Sequence, residues 1–270
     1  MHLLNKNGIP MLQFPHLQTF EKVFHAFTTR QGGESKGPFE SLNLGFHTDD
    51  LYQQVLHNRK KAFSALGWEL ESVVNPIQVH GNRVARVTQK DRGKGAYDLK
   101  SRLSAADGLI TNEKGILLMI TVADCFPVFL YDPTNQALGL LHAGWQGTAQ
   151  RIIRKGIEAM TTSFGSQPKT IKAGIGPGIN KCCYQVGKDL LKKFDHQIMI
   201  DNSGKQSAEK EAVYLDLKRI IFSQLIECGL KEDSVEVAAE CTCCNAELFF
   251  SHRRDKGETG RMAALIGLKD

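Results

Sequence analysis

Between positions 115 and 131 the chain reads GILLMITVADCFPVFLY, an apolar stretch interrupted by Asp124 and Pro127. It is too short to span a bilayer, whose hydrocarbon core takes about 20 apolar residues in a helix. It is also too apolar to lie on a surface. The reading that remains is two buried strands, broken where the polar residue and the proline fall. Further strand-like runs occur at 23–29, 73–79, 84–88, 137–141, 171–175 and 235–239, and Asp132-Pro133-Thr134-Asn135 has the composition of a turn.

Helices are fewer. Ala149, Ile152, Ile153, Gly156, Ile157 and Met160 fall at helical spacing with Arg151, Arg154 and Lys155 opposite them, and 50–66 and 216–228 read the same way. Many strands and few helices in irregular order predict a mixed-sheet α+β fold rather than a regularly alternating one. Without a repeat, a low-complexity tract or a Ser/Pro-rich linker, 1–270 is expected to form one domain. The polar stretch 201–211 (DNSGKQSAEKE) reads as a surface loop.

Hydrophobic residues make up 41% of the chain and charged residues 23%, which excludes a disordered chain. The net charge of +5 is scattered along the sequence, a distribution that suits an anionic small molecule better than a nucleic acid. The N-terminus shows no secretory pattern and no run reads as membrane-spanning, so a cytoplasmic location is expected. Seven cysteines, with adjacent pairs Cys182/Cys183 and Cys243/Cys244, point to thiols or metal ligands rather than a disulfide framework. Oligomeric state leaves no mark in the residues.

Three strings share a pattern in which a strand runs into a ligand-type residue beside a chain break: Gln78-Val79-His80-Gly81, Val122-Ala123-Asp124-Cys125 and Leu140-Leu141-His142-Ala143-Gly144. One thiolate and two imidazoles suit Zn²⁺, and three protein ligands leave a fourth tetrahedral position open. The intervals between them are too long for a zinc finger. By spacing alone, a hydrogen-bonded core histidine and an inert buried cysteine are the commoner explanation of such strings.

The strings QVHGNRV, ADGLIT, TVADCFPVFLYD, LHAGWQGT, GIGPGI followed by CCYQVG, and FFSHRRDKGETGRMA occur in this order. In them the chain resembles the YfiH/YlmD-like family, once called laccase-domain or polyphenol oxidase proteins, from Thr28-Thr29-Arg30 through to Gly260-Arg261-Met262. The resemblance implies an α+β sandwich flanked by helices, grouped with a bacterial toxin deamidase that uses a Cys–His pair. It further implies a zinc-binding enzyme that phosphorolyses adenosine, inosine, guanosine and S-methyl-5′-thioadenosine and deaminates adenosine. Its metal ligands fall on His80, Cys125 and His142, with copper as the alternative metal.

Phosphorolysis requires an anion held against a developing oxocarbenium centre, so a fixed cation and anion-binding donors are needed. A helix beginning near Thr148 would turn free N–H groups toward phosphate. Asp124 is the candidate proton carrier for deamination, and its other reading is structural, orienting a ligand histidine or capping a turn. Arg30 for phosphate, and Asn43 or Gln78 for ribose or base, are the candidate substrate contacts, each also open to a purely structural role. The C-terminal cluster Arg253, Arg254, Lys256 and Arg261 reads as a solvated or salt-bridged face.

Cys241 and Cys244 have the gap of a zinc knuckle that Cys182/Cys183 would complete, although buried free thiols are the expected state. Gly33-Glu34-Ser35-Lys36-Gly37 matches a nucleophile elbow but runs into Pro38-Phe39 and a loop, and the His-x-Glu with Pro-Cys-x-x-Cys deaminase signature is absent. Three other functions stay open. A copper oxidase is disfavoured because none of the nine histidines forms a His-x-His pair. A metal-free cysteine hydrolase would use Cys125 with His142 or His80. A nucleotide-binding or peptidoglycan-associated accessory protein would keep the metal for structure alone.

Overall fold

The computed structural model describes residues 1–194 and 213–269, so the stretch 201–211 lies outside the described residues. The strands, in chain order, are β1 (His2–Lys6), β2 (Ile9–Gln13), β3 (Val23–Thr28), β4 (Val73–Val74), β5 (Val84–Arg86), β6 (Gly108–Thr111), β7 (Leu117–Val122), β8 (Phe126–Asp132), β9 (Ala137–Ala143), β10 (Lys172–Ile175), β11 (Gln185–Val186), β12 (Val213–Tyr214), β13 (Val235–Val237) and β14 (Met262–Leu268). The α-helices are α1 (Pro15–Gln18), α2 (Tyr52–Leu66), α3 (Trp145–Ala149), α4 (Ile152–Phe164), α5 (Lys188–Leu191) and α6 (Leu217–Glu227).

Two six-stranded sheets carry the architecture, ordered β1-β2-β3-β14-β7-β4 and β13-β10-β8-β9-β6-β5. Both are mixed: β4 runs parallel to β7, β5 to β6 and β10 to β13, and the other pairings are antiparallel. The α+β expectation holds.

The apolar stretch 115–131 divides between the sheets. Along β7, Leu118, Ile120 and Val122 face the core that also holds Phe129 and Tyr131 of β8 and Met262, Ala264 and Ile266 of β14. Leu117 and Met119 point the other way, onto Ala62, Phe63 and Leu66 of α2. Val128 and Leu130 of β8 meet Ile153, Ile157 and Met160 of α4 and Ile220 and Ile221 of α6. Each sheet is thus covered on both faces, which is why its central strands read as continuous apolar runs rather than as alternation. Burying each of these large side chains contributes about 1.5–3 kcal/mol.

Strands 7 and 8 are joined by only Ala123, Asp124 and Cys125, and across those three residues the chain leaves one sheet for the other. Asp124 takes a left-handed conformation to do so (φ +88°). Pro127, expected to interrupt the stretch, instead lies inside β8, paired with His142 of β9. The helix read around 149–160 is two helices, broken at Arg151, whose φ is +62°. The first has only five residues, too short to build the dipole that a phosphate site would need.

Candidate metal centre and cavity

His80, Cys125 and His142 reach the site from three elements. His80 sits in the loop between β4 and β5, Cys125 on the step between β7 and β8, and His142 near the end of β9. One ligand atom from each lies within 4.8 Å of the others. The two imidazole rings are 4.8 Å apart, centroid to centroid, and nearly edge to face.

A residue absent from the sequence reading organises them. Asp107, fully buried, accepts a hydrogen bond from His142 Nδ1 at 2.9 Å. Its carboxylate also accepts the backbone N–H groups of Val79, His80 and Gly81 at 3.2, 2.9 and 2.7 Å. With Nδ1 committed, Nε2 is the nitrogen His142 has left for a ligand. Burial alone would raise the Asp107 pKa, but His142 and the Gly81 and Val79 amides hold it below the usual carboxylate range. The signal that this residue matters is an aspartate set inside the ADGLIT string.

Charge is shared across the group. Burial works against ionising either partner, yet His142 and His80 bring the Cys125 thiol down to about 6. In turn Cys125 and Asp107 raise His142 to about 9. A readily ionised thiol beside two imidazoles, one of them oriented by Asp107, is a donor set for a borderline-soft metal ion. Gly144 keeps the space clear, because a Cβ there would sit 2.9 Å from Cys125 Sγ and 3.4 Å from His80 Cδ2.

The group opens onto a cavity of about 500 Å³, a size suited to a small molecule. Arg102, Arg253 and Arg261 line it, with Trp145, Ile179, Tyr184 and Leu217 as its apolar wall. The C-terminal basic cluster is therefore not one solvated face. Arg253 and Arg261 face the cavity, while Arg254 pairs with Asp255 at 2.8 Å. Folding brings the two arginines in because Arg253 N–H donates to Asp124 Oδ2 at 2.7 Å and Arg261 N–H to Asn43 Oδ1 at 2.9 Å. His47 and Arg102 also reach the cavity, and no motif in the sequence marks them.

The candidate substrate contacts divide. Gln78 lines the cavity, but its amide is locked onto Thr121: Oε1 accepts from Thr121 N and Oγ1 at 2.9 and 2.8 Å, and Nε2 donates to Thr121 O at 2.9 Å. It fastens the His80 loop to β7. Arg30 and Asn43 are not cavity-lining. The Arg30 guanidinium donates to Glu40 O and Ala246 O at 2.7 and 3.1 Å and stacks 4.7 Å over Phe250. Asn43 is fully buried and bonds Thr48, Asp50, Gly45 and Arg261. Arg30 is held by backbone carbonyls, and Asn43 by the Thr48 and Asp50 side chains and two backbone amides, so both close loops away from the cavity.

Asp124 lies on the cavity wall, but both its oxygens are engaged, one by Thr242 Oγ1 at 2.6 Å and the other by Arg253 N. It braces the crossover and does not orient a ligand histidine, a task that falls to Asp107. Left-handed backbone at both His80 (φ +59°) and Asp124 concentrates strain at this site.

Residues 24–269 match the family model described as multi-copper polyphenol oxidoreductase laccase. The chain is 41% identical over 254 residues to purine nucleoside phosphorylase YlmD of Bacillus subtilis, covering 94% of this chain and 91% of that one. It is 37% identical over 262 residues to a purine nucleoside phosphorylase of Deinococcus radiodurans, covering 97% and 94%. The crystal structure of YlmD from Geobacillus stearothermophilus superposes with a TM-score of 0.90 at 37% identity, covering 99% of this chain and 98% of that one. YfiH of Bacillus licheniformis gives 0.87 at 38% identity, covering 97% of both. Fold and sequence agree, and the chain belongs to the laccase-domain family of YlmD- and YfiH-like proteins.

Proposed function

We propose that this protein is a zinc-dependent purine nucleoside phosphorylase acting on adenosine, inosine, guanosine and S-methyl-5′-thioadenosine, with adenosine deaminase activity. The observation that carries the reading is the meeting of His80, Cys125 and His142 on a cavity that also receives Arg253 and Arg261. The relatives named purine nucleoside phosphorylases support it. None of the seven cysteines is joined in a disulfide, which supports a reducing, cytoplasmic setting.

The residues fit zinc: three N/S donors, one oriented by a buried carboxylate, with the thiol disposed to ionise. When bound, zinc supplies a fixed positive charge and Lewis acidity. In phosphorolysis a phosphate oxygen bonds to C1′ as the C1′–N9 bond breaks, the purine leaves with a proton, and the sugar leaves as its 1-phosphate. Arg253 and Arg261 hold the phosphate and offset its charge. Tyr184, Trp145 and Leu217 offer the purine an apolar surface while keeping water from competing at C1′. In deamination water adds at C6 and ammonia leaves. Asp124 positions Arg253 in both reactions, since its own oxygens are taken.

A nucleoside panel incubated with and without phosphate tests this. Phosphate-dependent release of hypoxanthine from inosine and adenine from adenosine is expected, together with phosphate-independent inosine from adenosine. Neither product from metal-loaded protein would overturn the reading in favour of an accessory role.

One arrangement favours a second reading. Asp107, His142 and Cys125 form a line of carboxylate, imidazole and thiol in which His142 would act as base and Cys125 as nucleophile. Full activity in metal-free protein would select that cysteine hydrolase.

A further inference from the structure

A second group of sulfurs lies away from the His80, Cys125 and His142 donors. Strands β10 and β13 run parallel, and past their ends the two chains stay side by side: Gly178 bridges to Cys241, and Thr242 N–H donates to Gly178 O at 3.0 Å. Each chain then turns. One turn, closed by Cys183 N–H and Tyr184 N–H on Asn180 O, presents Cys182 and Cys183. The other, closed by Asn245 N–H on Cys241 O, presents Cys241 and Cys244 at knuckle spacing. All four sulfurs lie within 4.8 Å of one another. Cys243, inside the second turn, is outside the group and packs against the apolar core.

We propose that Cys182, Cys183, Cys241 and Cys244 bind a second metal ion, of the zinc class, in a closed structural centre separate from the cavity site. A tetrahedral ion with metal–sulfur bonds of about 2.3 Å sets its sulfurs about 3.8 Å apart. Cys244 Sγ lies 3.5 Å from Cys182 Sγ and 3.3 Å from Cys183 Sγ, nearly equidistant, as sulfurs sharing one centre are and two separate pairs are not. Cys241 Sγ accepts a backbone hydrogen bond from Asn180 N–H at 3.4 Å, which fixes this sulfur against the turn that carries Cys182 and Cys183. Four thiolates around a divalent ion carry net negative charge. The half-buried Lys218 ammonium, anchored on Ala238 O at 2.9 Å, stands within electrostatic reach of Cys241 and Cys182 to offset it.

The centre ties a cavity-wall segment to the turn that braces Asp124. Tyr184, next to Cys183, lines the cavity, and Thr242, next to Cys241, donates to Asp124. Clamping both turns keeps the wall in place without any contact between this ion and substrate, and four sulfur ligands leave it no open position for one.

Metal content of the full-length protein purified under reducing conditions tests the proposal. Wild type is expected to hold about two equivalents, and Cys125→Ala and the Cys241→Ser/Cys244→Ser double variant about one each. Cobalt added to metal-stripped Cys125→Ala is expected to give intense sulfur-to-cobalt absorption, a readout that does not depend on the double variant folding. Cys125→Ala that binds neither zinc nor cobalt would overturn the proposal. So would finding these four cysteines as two disulfides in protein prepared anaerobically.

Discussion

Asp107 accepts the His142 Nδ1 hydrogen bond and the His80 backbone N–H at the same distance, 2.9 Å, so one buried carboxylate positions two of the three candidate metal ligands. Replacing it with asparagine keeps the shape but turns an N–H₂ group toward donors. Asp107→Asn is expected to fold and to lower metal affinity and kcat/KM together by about 10–100-fold. Asp107→Ala also strands buried N–H groups, at about 1–3 kcal/mol each, so its urea midpoint falls as well. Metal titration and urea denaturation of the two variants check this, and full metal affinity in Asp107→Asn would remove the carboxylate from its positioning role.

Gly144→Ala isolates the donor group from the fold. Gly144 has φ −78°, so alanine brings no backbone strain, yet its Cβ would lie 2.9 Å from Cys125 Sγ. Near-unchanged thermal stability with markedly weaker metal retention under chelator dialysis is the expected pattern.

Arg253 reaches the cavity while its guanidinium donates to Gln185 O at 2.7 Å and lies 5.2 Å from the centre of the Tyr184 ring. Arg253→Gln is expected to raise the KM for phosphate roughly tenfold, the scale of one charge-assisted hydrogen bond, and to change the KM for inosine much less. Equal shifts in both constants would mean that the residue shapes the cavity rather than holding the anion.

Acid stability has a separate source on β3. His25 is 1% exposed, and its Nε2 accepts the Phe14 N–H at 2.8 Å, a bond that only the neutral ring can make. Burial, reinforced by His16, lowers its pKa to about 3 from 6.5. Below pH 6.5 the unfolded chain therefore takes up a proton that the folded chain refuses. The contribution of His25 is whole above pH 6.5 and is lost on acidification toward pH 3, at up to about 1.4 kcal/mol per pH unit. Urea denaturation between pH 7 and pH 4 is expected to show a shallower decline in His25→Gln than in wild type (about one titrating proton fewer).

Strands and helices were legible where burial leaves a local pattern. The runs at 23–29 and 137–141 correspond to β3 and β9, and the helical faces at 50–66 and 216–228 to α2 and α6. The break in the helix after β9 was not, because Arg151 in left-handed backbone leaves the apolar spacing across it intact. Arg30 and Asn43 showed the reverse difficulty. A polar residue beside a glycine-rich loop looks the same in sequence whether it faces a ligand or, as here, backbone carbonyls and amides.

By itself the sequence determined which segments must be buried, and that the apolar stretch breaks at Asp124, since a strand's face and its interruption are written in consecutive residues. Only the tertiary structure decided that this break crosses between two sheets. It also decided that Asp107 spans His80 and His142, that Arg253 and Arg261 turn into the cavity, and that four cysteines from two chain turns converge. Those outcomes depend on strand order, register and loop closure between residues far apart along the chain, and no local periodicity encodes them.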